Sequence, residues 1–382
     1  MEKTETSGRL KIKTSALRAY TMLGALVLIW LFFHWQTDDS IFLTPRNLSN
    51  LMLQTSVTGI IAVGMLMVIV SGNIDLSVGS LLALAGGVGA ICLTNLGYGL
   101  VPSILIAIAV GVVIGFVQGF LTAYASIPAF IVTLGGLLAW RGAIKGISES
   151  ETIPIADASF KAIGQSYIAP QMGWVLGALA IAAVLYLSVR QAKVLKEYGV
   201  GDAGLGRMLA GALIPITAIV GFIFVMNAYA GIPVPVLIYL AVALLGFFIT
   251  NHTTFGRYIY AIGGNAEAAR LSGINNKAVI LKVFALLGAF TGIAALIYTA
   301  RVASASPDAG TLLELDAIAA CVIGGTSLMG GRGTVFGTVL GALIMASLDN
   351  GMSLLNLPDF MQDLIKGSIL VAAVGVDMIG RK

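Results

Sequence analysis

From Leu76 to Trp140 the chain carries no Asp, Glu, Lys or Arg. That run is too long for the core helix of a soluble domain, and it holds three stretches of the roughly 20 apolar residues that a membrane span needs. Turn residues divide it, at Asn95-Leu96-Gly97-Tyr98-Gly99 and at Ser126-Ile127-Pro128. With 58% hydrophobic and 10% charged residues and a mean hydropathy of +0.96, the rest of the chain reads the same way. The expected fold class is an all-α polytopic membrane protein of about 10–12 transmembrane segments. The 47 glycines suit close backbone approach between helices in lipid.

Twelve apolar segments follow one another, at 16–35, 51–70, 76–93, 102–123, 129–146, 173–189, 208–227, 236–249, 283–299, 312–323, 335–348 and 360–376. The segment 312–323 is short, and some of the twelve are expected to be half-helices. The domain reading is a polar tail, 1–15, and a single permease domain, 16–382. That domain contains a polar loop at 148–170, a basic linker at 190–207 and a charged loop at 252–282. Sixteen of the 22 Lys and Arg then fall on the side of both termini and six on the other. The bias places both termini in the cytoplasm, and the loop 148–170 in the periplasm. Charges scattered over loops set topology and leave no patch for nucleic acid.

A weak internal echo is present. Ile74-Asp75 precedes a span with Gly111 and Gly115 and then Ile127-Pro128-Ala129-Phe130. Leu315-Asp316 precedes one with Gly337 and Gly341 and then Leu357-Pro358-Asp359-Phe360. The two sets run in opposite directions, as in the inverted repeats of transporters.

Catalytic signatures are missing. There is no Gly-x4-Gly-Lys-Ser/Thr loop, so nucleotide hydrolysis is not expected in this chain, and no cofactor is expected on it. Two isolated cysteines, Cys92 and Cys321, and two isolated histidines give neither a disulfide framework nor a metal cluster. Polar groups interrupt the apolar runs at Asn73, Asp75 and Ser77, and again at Glu314, Asp316, Asp349 and Asn350. Each reads either as a helix cap or as part of a polar path through the bundle. Asn73, Asp75, Ser77, Asp316, Asp349 and Asn350 are the path candidates. A proton-coupled transporter using Asp75, Asp316 or Asp349, and a scaffold without flux, remain the competing readings.

The charged loop 252–282 must emerge into water. Ala266 to Leu271 is made of good helix formers, bracketed by Gly264 and Gly273. It reads as a short helix held outside the membrane, either a solvated connection or a handle for another protein.

Gly263-Gly264-Asn265-Ala266-Glu267-Ala268-Ala269-Arg270-Leu271-Ser272-Gly273-Ile274 resembles the cytoplasmic loop of monosaccharide ABC-importer permeases. Ile74-Asp75-Leu76-Ser77-Val78-Gly79-Ser80, Phe130-Ile131-Val132-Thr133-Leu134 and 318–327 resemble other stretches of the same family. The long segment 190–227 and the run 346–353 favour its xylose-carrying branch over the shorter ribose-carrying one. The resemblance implies a permease of the vitamin-B12-permease-like (type II) fold, working in the inner membrane as a pair of copies. It implies a cytoplasmic ATPase that holds ATP and Mg, and a periplasmic sugar-binding protein. Asn265, Glu267, Ala268, Ala269, Arg270 and Gly273 would then couple the permease to the ATPase.

Overall fold

The computed structural model describes residues 14–198 and 205–379. Most of the expected tail 1–15 and part of the linker 190–207 lie outside the described residues. The helices are α1 (Thr14–Gln36), α2 (Pro45–Val70), α3 (Val78–Thr94), α4 (Leu100–Ala123), α5 (Ala129–Ile147), α6 (Ala158–Gln165), α7 (Pro170–Glu197), α8 (Leu205–Asn227), α9 (Val234–His252), α10 (Thr254–Gly264), α11 (Ala266–Leu271), α12 (Asn276–Val302), α13 (Leu313–Ile323), α14 (Val335–Leu354) and α15 (Asp359–Ile379). Among the described residues, seven helices are long and apolar enough to cross a membrane, and α1, α3 and α8 carry shorter apolar stretches, Tyr20–Gln36, Val78–Thr94 and Gly211–Asn227. All twelve expected apolar segments form helices. α13, with 11 residues, rises only about 16 Å and cannot cross.

α2 is the axis of the bundle. Thr44 caps it, its side chain accepting from the Asn47 N–H at 3.4 Å, and Pro45 occupies the first turn, where a missing N–H costs nothing. It is buried along almost its whole length against α9, α12, α13 and α14. α12 is the second central helix, and it packs on α4 through backbone. A Cβ on Gly111 would collide with the carbonyl of Gly288, and one on Gly115 with that of Phe284. The glycines of the first echo therefore serve helix docking. Those of the second do the same elsewhere, because Gly341 and Gly337 meet the backbone of Ala320 and Gly324 where α14 packs on α13.

The two ends of the bundle differ. One carries α10 and α11. The opposite end carries the turn 37–44 and the loop 148–169, which is more ordered than a polar loop suggests. Asp157 caps α6, accepting from the Phe160 N–H at 2.7 Å, and Phe160 is fully buried. Gln165 Nε2 donates to the carbonyls of Ala300 and Arg301 at the end of α12. Two short antiparallel pairings finish this face. β1 (Ile153–Pro154) joins β4 (Ser304–Ala305), and β2 (Tyr167–Ile168) joins β3 (Ile232–Pro233).

Candidate functional site

The loop between α9 and α12 is built by side-chain caps. Thr253 accepts from the Gly256 N–H at 3.0 Å to start α10, Asn265 from the Ala268 N–H at 2.9 Å to start α11, and Asn275 from the Ala278 N–H at 3.1 Å to start α12. α11 spans the six residues read from the sequence. Gly273, at φ +84°, closes it, and the Ile274 N–H reaches back to the Ala269 carbonyl at 3.1 Å. Gly264 behaves differently from expectation. α10 runs through it, and the turn falls on extended Asn265. Lys277 and Lys282 also lie inside α12, which begins seven residues before the expected span.

Glu267, Ala268, Arg270 and Leu271 are exposed, whereas Ala269 is buried against its own chain. Arg270 makes a fork to Glu267, with Nη2–Oε1 at 2.6 Å and Nε–Oε2 at 3.1 Å. This hydrogen bond holds the Glu267 carboxyl below the ordinary carboxylate range. The pair contributes little to stability at such exposure, but it fixes the shape of the displayed face. Leu271, the last residue of α11, is 75% exposed, and the sequence reading passed over it. An apolar side chain held in water among charges is its signal.

α10 ties this loop to the interior. Gly263 lies so close to the Val70 carbonyl and the Gly331 N–H that no Cβ fits. The Gly331 N–H donates to the Val70 carbonyl at 2.9 Å, and the Tyr260 hydroxyl donates to the Gly333 carbonyl at 2.7 Å. The glycine-rich segment 324–334, which leads out of half-helix α13, is thus pinned under α10.

The structure scatters the six path candidates. Asn73 is half-buried near the α10 end, where its amide donates to the Ser71 carbonyl and hydroxyl. Asp75 and Ser77 are buried in a knot between the start of α3, α4 and α5. The Ser77 N–H and hydroxyl both reach Asp75 Oδ1 at 2.7 Å. With its amide oriented to satisfy both ends, Gln118 donates to Asp75 Oδ2 at 3.3 Å and accepts from Trp140 Nε1 at 3.1 Å. Asn350 is buried in a reciprocal amide pair with Asn47, at 2.8 and 3.1 Å, that joins the end of α14 to the start of α2.

The cap readings also change. Asp75 closes a turn two residues long rather than capping α3. Asp316 sits inside the first turn of α13, and Asp349-Asn350-Gly351 lies within α14, which continues to Leu354.

Asp316 and Asp349 do meet. They share a cavity of about 440 Å³, on the side away from α10–α11, with Gln54, Thr58, Tyr298 and Ser353. Both also approach Lys366 of α15, at 3.5 and 2.8 Å. Lys366 escaped the sequence reading, although a lone cation in the apolar run 360–376 is a signal in itself. Arg301 and Asp308 also line this cavity; beside it, Arg141 Nη1 donates to the carbonyls of Pro307 and Ala309, and Lys145 pairs with Asp308 at 2.8 Å. That lysine holds the Asp308 carboxyl below its ordinary range.

The helical bundle, with its buried polar knots and a charged loop outside, is the setting in which the relatives are informative. A family profile described as "Branched-chain amino acid transport system / permease component" matches residues 47–194 and 199–374. The chain belongs to this permease family. It is 47% identical to the xylose transport system permease protein of Escherichia coli, over 96% of this chain and 93% of that one. Its identity to the protein of the same name from Haemophilus influenzae is 44%, over 97% and 99%. To the ribose import permease protein of Escherichia coli it is 36%, over 98% of each. No solved structure matches it significantly. As a permease component of a transport system, the chain is a multi-pass membrane protein and not itself an enzyme. The resemblance seen in 263–274 and 318–327 therefore extends over nearly the whole chain.

Proposed function

We propose that the chain is the membrane-spanning permease subunit of an ATP-driven importer that carries a pentose, D-xylose, across the bacterial inner membrane. The observation that carries this is the near-full-length identity to two xylose permeases, which exceeds that to the ribose permease. The absence of a phosphate-binding loop from the sequence supports an energy source on another chain. In this reading the α10–α11 face and both termini are cytoplasmic, as the distribution of Lys and Arg supports. An ATPase subunit holding ATP and Mg sits below α11. A periplasmic sugar-binding protein docks at the opposite face, and a second copy of the chain completes the membrane pair within lipid.

Asn265, Glu267, Ala268, Arg270 and Gly273 present or shape α11 for the ATPase, with Leu271 as an apolar anchor; Ala269 supports the helix from beneath. Asp316 and Asp349 belong to the sugar path. Asn73, Asp75, Ser77 and Asn350 brace the helices around it. The test is uptake of labelled xylose into vesicles containing the permease. Uptake is expected only with the ATPase, ATP and the binding protein all present. Accumulation driven by a proton gradient in their absence would overturn the reading.

A further inference from the structure

Asp316 and Asp349 project from different helices and share one cation. Their side chains keep 15% and 32% exposure, and that of Lys366 keeps 22%. The ammonium does not line the 440 Å³ cavity. It reaches the carboxylates from the α15 side, where it lines a separate cavity of about 130 Å³ with Asp363, Gly367 and Leu370. Asp316 is the wall common to both cavities. Lys366 approaches each aspartate at its Oδ1 atom, and among the described residues Asp349 Oδ1 takes no hydrogen bond, so that contact is an ion pair alone. Among the described residues, neither Oδ2 atom takes a hydrogen bond.

We propose that the larger cavity is a polyol-binding site, and that Lys366 is the positioning residue that aims Asp316 and Asp349 into it. This rests on the chain carrying a neutral sugar. Two carboxylates on one half-buried cavity wall repel each other, so an ammonium between them offsets the repulsion and fixes both orientations. Held from behind, each carboxylate keeps acceptor positions for the hydroxyl groups of a sugar, and such charge-assisted hydrogen bonds are the stronger kind. Gln54, Thr58 and Ser353 add both donors and acceptors, and Tyr298 adds an aromatic face. A metal cation has no use for donors, and the cation partner of the carboxylates is already in place. The cavity also lies within the range of about 300–1,000 Å³ usual for small-molecule sites.

Thr311 is exposed at this cavity, while Cys92 and Cys321 are both buried, so Thr311→Cys supplies a reporter thiol against a quiet background. The full permease with its ATPase is placed in nanodiscs without binding protein, and the thiol is labelled with a charged methanethiosulfonate at increasing xylose. Xylose is expected to slow labelling. The half-protecting concentration is expected to rise at least about tenfold with Lys366→Gln or Asp349→Asn, the scale of a lost charge-assisted hydrogen bond, and to change little with Lys366→Arg.

Labelling indifferent to xylose overturns the site. Protection unaltered by both Lys366→Gln and Asp349→Asn overturns the role of Lys366. Protection by sodium chloride but not choline chloride, without sugar, makes the cavity a cation site and overturns the polyol assignment. If Lys366→Gln does not assemble, Asp349→Asn and Lys366→Arg decide. Uptake by the Thr311→Cys chain in the complete system is measured in parallel. Transport without protection refutes only this inference, and absence of transport in the parent chain refutes the pentose-importer reading on which it rests.

Discussion

Asn350 shows what a single buried polar side chain does in this bundle. Its amide exchanges two hydrogen bonds with Asn47, which also donates to the Phe42 carbonyl at 2.9 Å. Removing one partner strands the other in a dry environment. Asn350→Ala is therefore expected to lower stability by about 1–3 kcal/mol, read as a lower melting temperature of the detergent-purified chain. An unchanged melt would show that water already reaches this pair. Asp75→Ala strands the Ser77 and Gln118 groups in the same way, whereas Asp75→Asn keeps one acceptor and is expected to cost less. At this scale the sequence was informative about which residues matter and poor on why. Asp75 and Asn350 stand out in their apolar surroundings, and both cap and path readings fit them. What decides is Gln118, 41 residues from Ser77, and Asn47, 303 residues from Asn350. No local pattern carries such pairings.

The helices themselves were more legible. Twelve apolar runs became twelve helices because in lipid a backbone must satisfy its own hydrogen bonds, and length with hydropathy then sets the spans. The run 312–323, short already in the sequence, is the half-helix α13. Its companion elements were not foreseen, because α6 and the four two-residue strands depend on partners far along the chain. The span of α11 and its closing Gly273 were legible because they lie within a dozen residues, whereas the turn before it falls on Asn265 and not on Gly264.

Two predictions belong here. Gly288→Leu places a branched side chain against the Gly111 carbonyl and the Gly115 Cα. It is expected to cost more than the about 1–3 kcal/mol usual for overpacking, because backbone atoms cannot step aside, and to show as loss of folded protein after extraction. Glu267→Lys replaces the fork on α11 with like charges, and Gly273→Pro forbids the φ of +84° that ends the helix. Both variants are expected to insert normally but to recover much less ATPase on co-purification. Full recovery would remove α11 from the contact.

Across the whole molecule, the α10–α11 loop proposed to face the ATPase and the proposed polyol cavity lie at opposite ends, so any coupling between them must pass through the bundle. The contacts supply one continuous route. α11 packs on α10; the Tyr260 hydroxyl and Gly263 of α10 hold the segment 324–334; and that segment is the tail of α13, whose other end carries Asp316. α13 is a half-helix in contact with α2, α14 and α15, free of the anchoring that a full span receives at both membrane surfaces. It is thus the element best placed to shift as a unit when its tail is pulled. The Tyr260 hydroxyl is the one point on this route that can be deleted with almost no change of shape. Tyr260→Phe is expected to cost only about 0.5–1.5 kcal/mol of stability, the usual net value of a hydrogen bond, and to leave ATPase assembly intact. Xylose uptake per ATP hydrolysed is expected to fall severalfold, because α10 can then move without drawing the Gly333 carbonyl with it. Parallel measurement of uptake and hydrolysis in reconstituted vesicles separates the cases. If both rates fall together, Tyr260 matters for assembly or turnover and not for transmission; if neither changes, the backbone contacts of Gly263 with Val70 and Gly331 carry the movement alone.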